Sequence, residues 1–236
     1  MVATQFDAEP IAPMTLAEQV RQRLRSWILN GRLKPGDRLR VQELAGLLKV
    51  SDTTVREALS RLRQTGIVQS VSWVGARVKE FTRSDIEEVF DLRKALECFA
   101  VRLAATRISE DQLRRLREQL RVAEQGLDRG ESGPWTAANN ELHAAILAGA
   151  GNSRISSLLE QTYDQIYMFA GFGARSAEGA RESLQMHLRF VDLLLQHDAE
   201  GAARLMEEYL EVAKQQALQG YFGATEPPTP ALTRRT

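Results

Sequence analysis

The stretch SDTTVREALSRLRQTG, residues 51–66, decides the fold of the first third of the chain. Ser51 is placed to cap a helix, because a serine side chain accepts a hydrogen bond from an unpaired backbone N–H of the first turn. Four apolar residues then repeat at the spacing i, i+3, i+4, i+7 of one helical face: Val55, Ala58, Leu59 and Leu62. The pattern predicts a helix that turns this face to a core and presents Thr53, Arg56 and Ser60 on the opposite and flanking surface.

Elements on both sides of this helix complete a small domain. Thr15 begins a T-x-x-E capping box. Four apolar residues at four-residue spacing follow it: Leu16, Val20, Leu24 and Ile28. A turn and a second short helix around Leu44 come next, and after the third helix there are two candidate strands, Ile67–Ser70 and Ala76–Lys79. The order of three helices and a hairpin predicts a winged helix-turn-helix over residues 15–80.

The charge of the chain is divided unevenly along its length. Lysine plus arginine is 31 and aspartate plus glutamate is 31, so the net charge is zero. Residues 15–80, however, hold 13 basic and 6 acidic residues, whereas residues 81–236 hold 18 and 23, and residues 1–14 hold two acids. A basic module attracts the phosphates of nucleic acid. Arg56 and Arg63 could also be ordinary solvated charges, but the hairpin and the basic excess favour contact with double-stranded DNA.

Residues 81–222 are helical in character throughout, with no convincing strand alternation. Ser84 and Glu87 form a capping-box pair ahead of the first of these helices, and we expect one later helix to run from residue 152 to about 169. We therefore predict that the chain is mostly α: an N-terminal winged helix-turn-helix followed by an all-α bundle of six to seven helices. Residues 1–14 and 223–236 are short, polar and proline-bearing, and we predict that both are disordered.

Several classes of protein are disfavoured by what the sequence lacks. Cys98 is the single cysteine, which excludes an internal disulfide and a cysteine-based zinc cluster. No secretory signal begins the chain, and no apolar run reaches the roughly 18 residues of a membrane helix, so we expect a soluble, cytoplasmic protein with no membrane partner. No phosphate-binding glycine loop, nucleophile elbow or H-E-x-x-H pair is present, so we do not expect an enzyme. The alternative, a small-molecule-binding helical protein with an enzymatic or adaptor role, leaves the basic domain unexplained.

Two separate sets of motifs resemble one family of bacterial proteins. ILNGRLKPGDRL (residues 28–39) and VSDTTVREALSRL (residues 50–62), with Gly75 in the hairpin, resemble the GntR family of transcription regulators. DLRKALE (residues 91–97), with LH at residues 142–143, is similar to the effector domain of its FadR branch. The resemblance implies a homodimer that binds a pseudo-palindromic operator and a small effector, which we expect to be an organic acid. We expect a repressor of a metabolic operon.

The resemblance and the exposed face of the third helix together imply a set of DNA-contacting residues. They are Arg40, Gln42, Ser51, Thr53, Thr54, Arg56, Ser60 and Gly75. The chain departs from the family pattern at Asp52, where an arginine is usual, and at Trp73, where a polar or basic residue is common. Asp52 suits the positive end of a helix dipole but repels phosphate. We therefore expect an operator that differs from those of the relatives.

The resemblance also implies groups that bind one divalent metal ion, such as zinc, in the bundle. Its positions fall at Asn139, His143 and His187, with Tyr209 where a further histidine is usual. Two imidazoles and an amide are a poor zinc set, and a phenol ligates easily only when deprotonated. Three alternatives remain open: a weakened metal site, a metal-free pocket that binds an effector carboxylate or hydroxyl, and a buried network of satisfied polar groups.

Two further features bear on the pocket. Arg93 could face inward and pair with an anionic effector, or it could form an ion pair with Glu97 one turn later. The predicted effector site is therefore Arg93, Asn139, His143, His187 and Tyr209. An aromatic-rich stretch could be core or dimer contact, or could wall the pocket and favour an effector with an aromatic or acyl group. It comprises Tyr163, Tyr167, Met168, Phe169 and Phe172.

Overall fold

The computed structural model describes residues 14–73, 75–173 and 177–225. Contacts within the chain separate two compact units, Met1–Lys79 and Glu80–Thr236, which are called here the N-terminal and C-terminal units. Most residues of the two segments predicted to be disordered lie outside the described residues. Among the described residues, no helix is both long enough and apolar enough to cross a membrane.

The N-terminal unit combines three helices with a small sheet. Its elements in chain order are α1 (Leu16–Leu29), β1 (Arg38–Leu39), α2 (Val41–Leu48), α3 (Asp52–Gln64), β2 (Val68–Val71) and β3 (Gly75–Val78). The strands are antiparallel in the order β1-β3-β2. The predicted winged helix-turn-helix is confirmed. Strand β1, with two residues, is too short to leave an alternating pattern in the sequence.

The helices of the N-terminal unit share one apolar core. All four residues of the predicted apolar face of α3 are buried, and α1 packs against this helix. Other elements bury Leu24, Ile28, Leu39, Ile67 and Val78. Full burial of one such side chain contributes about 1.5–3 kcal/mol. This burial fixes which side of α3 is left to solvent.

Side-chain hydrogen bonds set the first turns of α1 and α3. The Thr15 hydroxyl accepts the backbone N–H of Glu18 at 3.2 Å, and the Ser51 hydroxyl accepts that of Thr54 at 3.2 Å. Both predicted N-caps are therefore confirmed. The Glu18 carboxylate does not close the predicted capping box: it accepts hydrogen bonds from Arg21 in the same helix at 2.6–2.9 Å and from Arg61 of α3 at 3.2 Å.

The C-terminal unit is all-α, which confirms the predicted bundle. Its described residues form seven helices: α4 (Arg83–Ala104), α5 (Glu110–Asp128), α6 (Gly133–Ala150), α7 (Ser153–Glu160), α8 (Tyr163–Gly173), α9 (Ala177–Leu195) and α10 (Ala199–Thr225). Helix α10 packs against α4, α8 and α9, and α6 packs against α4 and α5.

Two helix boundaries differ from the prediction. The predicted capping box of Ser84 and Glu87 is wrong. The hydroxyl of Thr82 accepts the N–H of Asp85 at 3.1 Å, and the Asp85 carboxylate accepts the N–H of Thr82 at 2.8 Å, so α4 begins earlier. The single helix expected from residue 152 to about 169 is divided, because the hydroxyl of Thr162 bonds to a carbonyl oxygen of the preceding turn at 2.8 Å and α7 ends there.

The predicted beginning of the disordered tail at residue 223 is also wrong, because α10 continues to Thr225. Tyr221 explains the extension: it is buried, and its hydroxyl accepts the backbone N–H of Phe81 at 2.9 Å. Phe81 also packs edge-on against Phe169 at a centroid distance of 4.9 Å. The last turns of α10 are thus tied to the start of the unit.

The aromatic-rich stretch of α8 divides between core and cavity. Met168 and Phe169 are buried, and the Phe169 ring stacks on Phe90 at 6.5 Å. Tyr163 and Tyr167 instead line a cavity. The side chain of Phe172 lies outside the described residues. Both alternatives weighed for this stretch, core and pocket wall, therefore apply to different members of it.

Candidate DNA-binding surface and effector cavity

The exposed face of α3 carries the residues predicted to reach base edges. Thr53 and Arg56 are exposed on neighbouring turns, and Ser60 is half-buried further along the same side. Asp52 is the exposed first residue of the helix. Neither Thr53 nor Arg56 has a side-chain hydrogen bond within the described residues. Both groups are thus available to a partner outside the chain.

Ser51 and Thr54 act as a pair at the start of α3. Their hydroxyl oxygens are 2.8 Å apart, and Ser51 also caps the N–H of Thr54. Ser51 is exposed and Thr54 is half-buried. The hydroxyl of Thr54 is therefore already engaged inside the chain, and the pair fixes the helix end from which Thr53 and Arg56 project.

Glu18 and Glu57, two acidic residues near α3, are paired with arginines, and Arg21 of α1 lies 2.6 Å from Glu18. Arg61 approaches Glu18 at 3.2 Å and Glu57 at 2.7 Å. Arg56 and Arg63 are exposed and form no ion pair within the part of the chain that is described. Two uncompensated cations on one helix favour an approaching phosphate backbone.

Helix α2 and the hairpin supply the other predicted DNA-contacting residues. Arg40 precedes α2, is exposed and pairs with Glu43 at 2.6 Å, and Gln42 is exposed in the first turn. Gly75 has a φ of +92° and open space where a Cβ would stand, a backbone conformation that favours glycine. Trp73 is fully exposed and has a φ of +64°. The hairpin tip is thus open to contact.

The C-terminal unit encloses a cavity of about 590 Å³ between α4, α6, α8, α9 and α10. Much of its wall is apolar, with Ile146, Leu147, Ile166, Met186, Val212 and Ala213. A polar cluster on α4, α6 and α10 completes it, with Arg93, Glu97, Asn139, His143 and Tyr209. An apolar cavity of this size with a few convergent polar groups is typical of a small-molecule site.

Arg93 and Glu97 form a buried ion pair in the cavity wall. The Nε of Arg93 donates to Oε1 of Glu97 at 2.7 Å, and both residues are at most 6% exposed. Nδ1 of His143 lies 3.6 Å from the other carboxylate oxygen. Burial would raise the pKa of Glu97, but the charge and the hydrogen bond of Arg93, with the nearby His143, hold it well below its usual range. Arg93 faces the cavity and forms the predicted ion pair with Glu97, while its pairing with an anionic effector stays a prediction.

His187 lies one layer behind the cavity wall. Its ring centre is 5.4 Å from that of His143 and 5.0 Å from that of Tyr209, and these two residues line the cavity whereas His187 does not. Burial, with the nearby His143, lowers the pKa of His187 to about 3, so the ring is neutral. Nδ1 lies 2.7 Å from the carbonyl oxygen of Ser183 and carries the hydrogen, while Nε2 is buried with no partner among the described residues.

The residues present do not fit the divalent metal ion that the resemblance implies. Among the described residues, no group of three histidine, cysteine or acidic side chains could hold an ion. His143 and His187 supply two imidazoles, and Glu97 is committed to Arg93. Burial raises the pKa of Tyr209, so its phenol keeps its proton. Two imidazole nitrogens without an anionic ligand give low affinity for zinc.

Trp135 is a cavity residue that sequence reasoning missed. It lines the cavity, and its ring centre lies 5.1 Å from that of His187. The signal that could have found it is spacing: Trp135 precedes Asn139 by four residues and His143 by eight, so all three share one face of α6.

The comparisons with known proteins agree with both units. Residues 16–78 match the bacterial regulatory proteins, gntR family, and residues 88–212 match the FCD domain. The uncharacterised HTH-type transcriptional regulator BphR of Paraburkholderia xenovorans is 29% identical over 86% of this chain and 85% of its own. The HTH-type transcriptional repressor GlaR of Escherichia coli is 25% identical over 79% and 89%. The solved structure of Escherichia coli McbR/YncC has a TM-score of 0.70 at 26% identity and covers 89% of this chain and 100% of its own. The chain therefore belongs to the GntR family of bacterial regulatory proteins, as a transcription regulator with an FCD domain and not an enzyme.

Proposed function

We propose that the chain is a homodimeric, ligand-responsive repressor of the FadR branch, which acts in the cytoplasm on a pseudo-palindromic operator in double-stranded DNA. One observation carries the proposal: α3 presents Thr53 and Arg56, both exposed, on the side opposite its buried stripe. A helix with this polarity, followed by a hairpin, suits the major groove. Similar proteins that are named repressors, GlaR among them, support repression.

The predicted contacts divide by the chemistry that each group offers. Arg56 and Thr53 would reach base edges, because a guanidinium donates in pairs to guanine and a threonine contacts several bases. Arg40, just before α2, and Gln42, in its first turn, would bind the phosphate backbone and set the register. Gly75 would let the hairpin approach the backbone closely. Ser51, Thr54 and Ser60 complete the predicted set, with Ser51 and Thr54 acting chiefly on helix position.

Dimerisation would use an apolar surface on α4 and α7. Leu92 and Phe99 of α4 are 40% and 49% exposed, and Leu158 of α7 is 47% exposed. Helix α7 packs against α4, so these side chains belong to neighbouring surfaces of one unit. A symmetric pair of such surfaces would bury them and carry two α3 helices to the two halves of an operator.

The effector of this proposal is a small organic acid that enters the cavity of the C-terminal unit. Arg93 provides the positive charge that a carboxylate requires, and the apolar wall accommodates the rest of the molecule. The acid can release the repressor only if it binds the two arrangements of the dimer with different affinity. A thermal-shift screen of carboxylic acids would find stabilising ligands.

The DNA-binding proposal is tested with genomic fragments at several salt concentrations. We expect affinity to fall steeply as salt rises, because bound phosphates release counterions. Arg56→Ala should weaken binding about 10- to 100-fold, and Arg114→Ala, which removes an exposed arginine of α5, should not. Salt-independent or absent DNA binding would defeat the proposal. Equal binding by Arg56→Ala and the parent would show that α3 does not read the operator.

A further inference from the structure

Two residues of the polar cluster, His143 and Tyr209, form a triangle of rings with His187 behind the cavity wall. The ring centres of His143, His187 and Tyr209 are separated by 5.4, 5.0 and 5.8 Å. Three imidazoles on one tetrahedral ion have centres roughly 5 Å apart, given metal–nitrogen bonds of about 2.1 Å. Tyr209 therefore occupies the third corner of a triangle with the dimensions of a three-histidine site, and it brings a phenol where a nitrogen would bind.

A fixed cation already lies beside this triangle. The guanidinium of Arg93 is buried in the cavity wall and hydrogen-bonds to Glu97, and it also interacts with the hydroxyl of Tyr209. The charge of Glu97, the carboxylate of the cavity wall, is thus compensated by Arg93. A divalent ion in the triangle would find the one carboxylate of the cavity wall already paired, and no free anion among the lining residues to balance its charge.

From these observations we infer that the cavity binds its effector without a metal ion. The Arg93 guanidinium binds the carboxylate of the organic acid in place of an ion. Tyr209 is the residue that prevents a metal ion from binding. The inference rests on the proposed effector role of the cavity. It makes the regulatory response independent of metal supply and chelators. It assigns His143 to the orientation of Glu97, which its Nδ1 faces at 3.6 Å, rather than to metal ligation.

The experiment compares the metal content and zinc affinity of the full chain with those of two variants at one position. Untagged protein is purified without chelator, its metals are measured by mass spectrometry, and zinc chloride is titrated calorimetrically. We expect less than about 0.1 ion per wild-type chain. Tyr209→His should gain about one ion per chain and bind zinc at least about 100-fold more tightly, because it completes a three-imidazole set. Tyr209→Phe, the matched control, should behave like the wild type.

Each outcome decides a different part of the inference. One ion per wild-type chain, removed by chelator and lost in His143→Ala, would overturn it. A folded Tyr209→His variant without added zinc affinity would overturn the role given to Tyr209. If Tyr209→His does not fold, as judged by circular dichroism, the wild-type metal content still decides whether the site is metal-free. DNA binding is measured on the same samples, so that its absence, a failure of the proposed function, is distinguished from a metal result.

Discussion

The two units of the chain place their candidate functional residues in opposite environments. In the N-terminal unit, Thr53 and Arg56 are exposed neighbours on one helix, and the core lies on the other side of that helix. In the C-terminal unit, Arg93 and Glu97 are buried in the wall of a cavity that five helices build. Function and stability should therefore be separable in the first unit and coupled in the second. The variants below test this difference.

The largest effect is expected for Arg93→Ala. Removal of the guanidinium leaves the carboxylate of Glu97 buried without its partner, which costs about 3–5 kcal/mol of unfolding free energy. The matched control is Lys94→Ala at the next position, whose ammonium approaches Glu207 and Glu211 at 3.7 Å on a more exposed surface. It should cost less than about 1 kcal/mol. Urea unfolding of the full chain gives both values, and equal losses would show that the buried Arg93–Glu97 pair does not couple function to stability in the C-terminal unit.

His187 predicts a pH dependence that belongs to the C-terminal unit. Burial lowers its pKa from 6.5 to about 3. Between these pH values, His187 is therefore protonated in the unfolded chain but not in the folded chain. Its contribution to stability is complete above pH 6.5 and is lost as pH falls, at up to about 1.4 kcal/mol per pH unit. Glu97, whose pKa is lowered from 4.5, acts in the same direction only at lower pH.

The measurement is urea unfolding between pH 7 and pH 5. In His187→Leu, the unfolding free energy should no longer show the decrease with falling pH that His187 causes. In His197→Gln, at an exposed position, that decrease should remain. A slope that is unchanged in His187→Leu would mean that the imidazole is reached by solvent in the folded state, and that the layer formed by His143 and Tyr209 does not seal it.

The same difference between the units governs what the sequence alone could predict. The buried stripe of α3 and the cap at Ser51 follow from local spacing, and the structure has both. The cavity depends on which faces of the five helices pack against one another, and local sequence spacing does not specify this packing. The sequence predicted that His187 belongs to the site, but it could not predict how deeply the ring is buried. The packing of His143 and Tyr209 in front of it places it behind the cavity wall. Trp135 was detectable because it repeats the spacing of the α6 face.

A smaller effect is expected for Ser51→Ala at the cap of α3. Loss of the hydroxyl leaves the N–H of Thr54 without its acceptor and costs about 1 kcal/mol. Because the cap sets the helix end that carries Thr53, DNA affinity should fall as well. Ser51→Asp restores a capping acceptor but adds a negative charge, so it should recover stability and not DNA affinity. Thermal unfolding and fluorescence anisotropy on one duplex separate the two effects, and recovery of both would show that the cap contributes position alone.

The smallest effect on stability belongs to Trp73→Ala at the hairpin tip. The side chain is fully exposed, so its removal changes unfolding free energy by less than about 0.5 kcal/mol. Its φ of +64° is unusual for a bulky residue, and Trp73→Gly should therefore be at least as stable as Trp73→Ala. On DNA we expect less than about a fivefold loss for Trp73→Ala, well below that for Arg56→Ala, because the proposed contacts place the hairpin on the DNA backbone and α3 on the bases. If Trp73→Ala lost as much DNA affinity as Arg56→Ala, or more, the hairpin rather than α3 would be the main DNA-recognition element. Even then, DNA binding and stability would remain separable in the N-terminal unit, because neither Trp73 nor Arg56 belongs to the core.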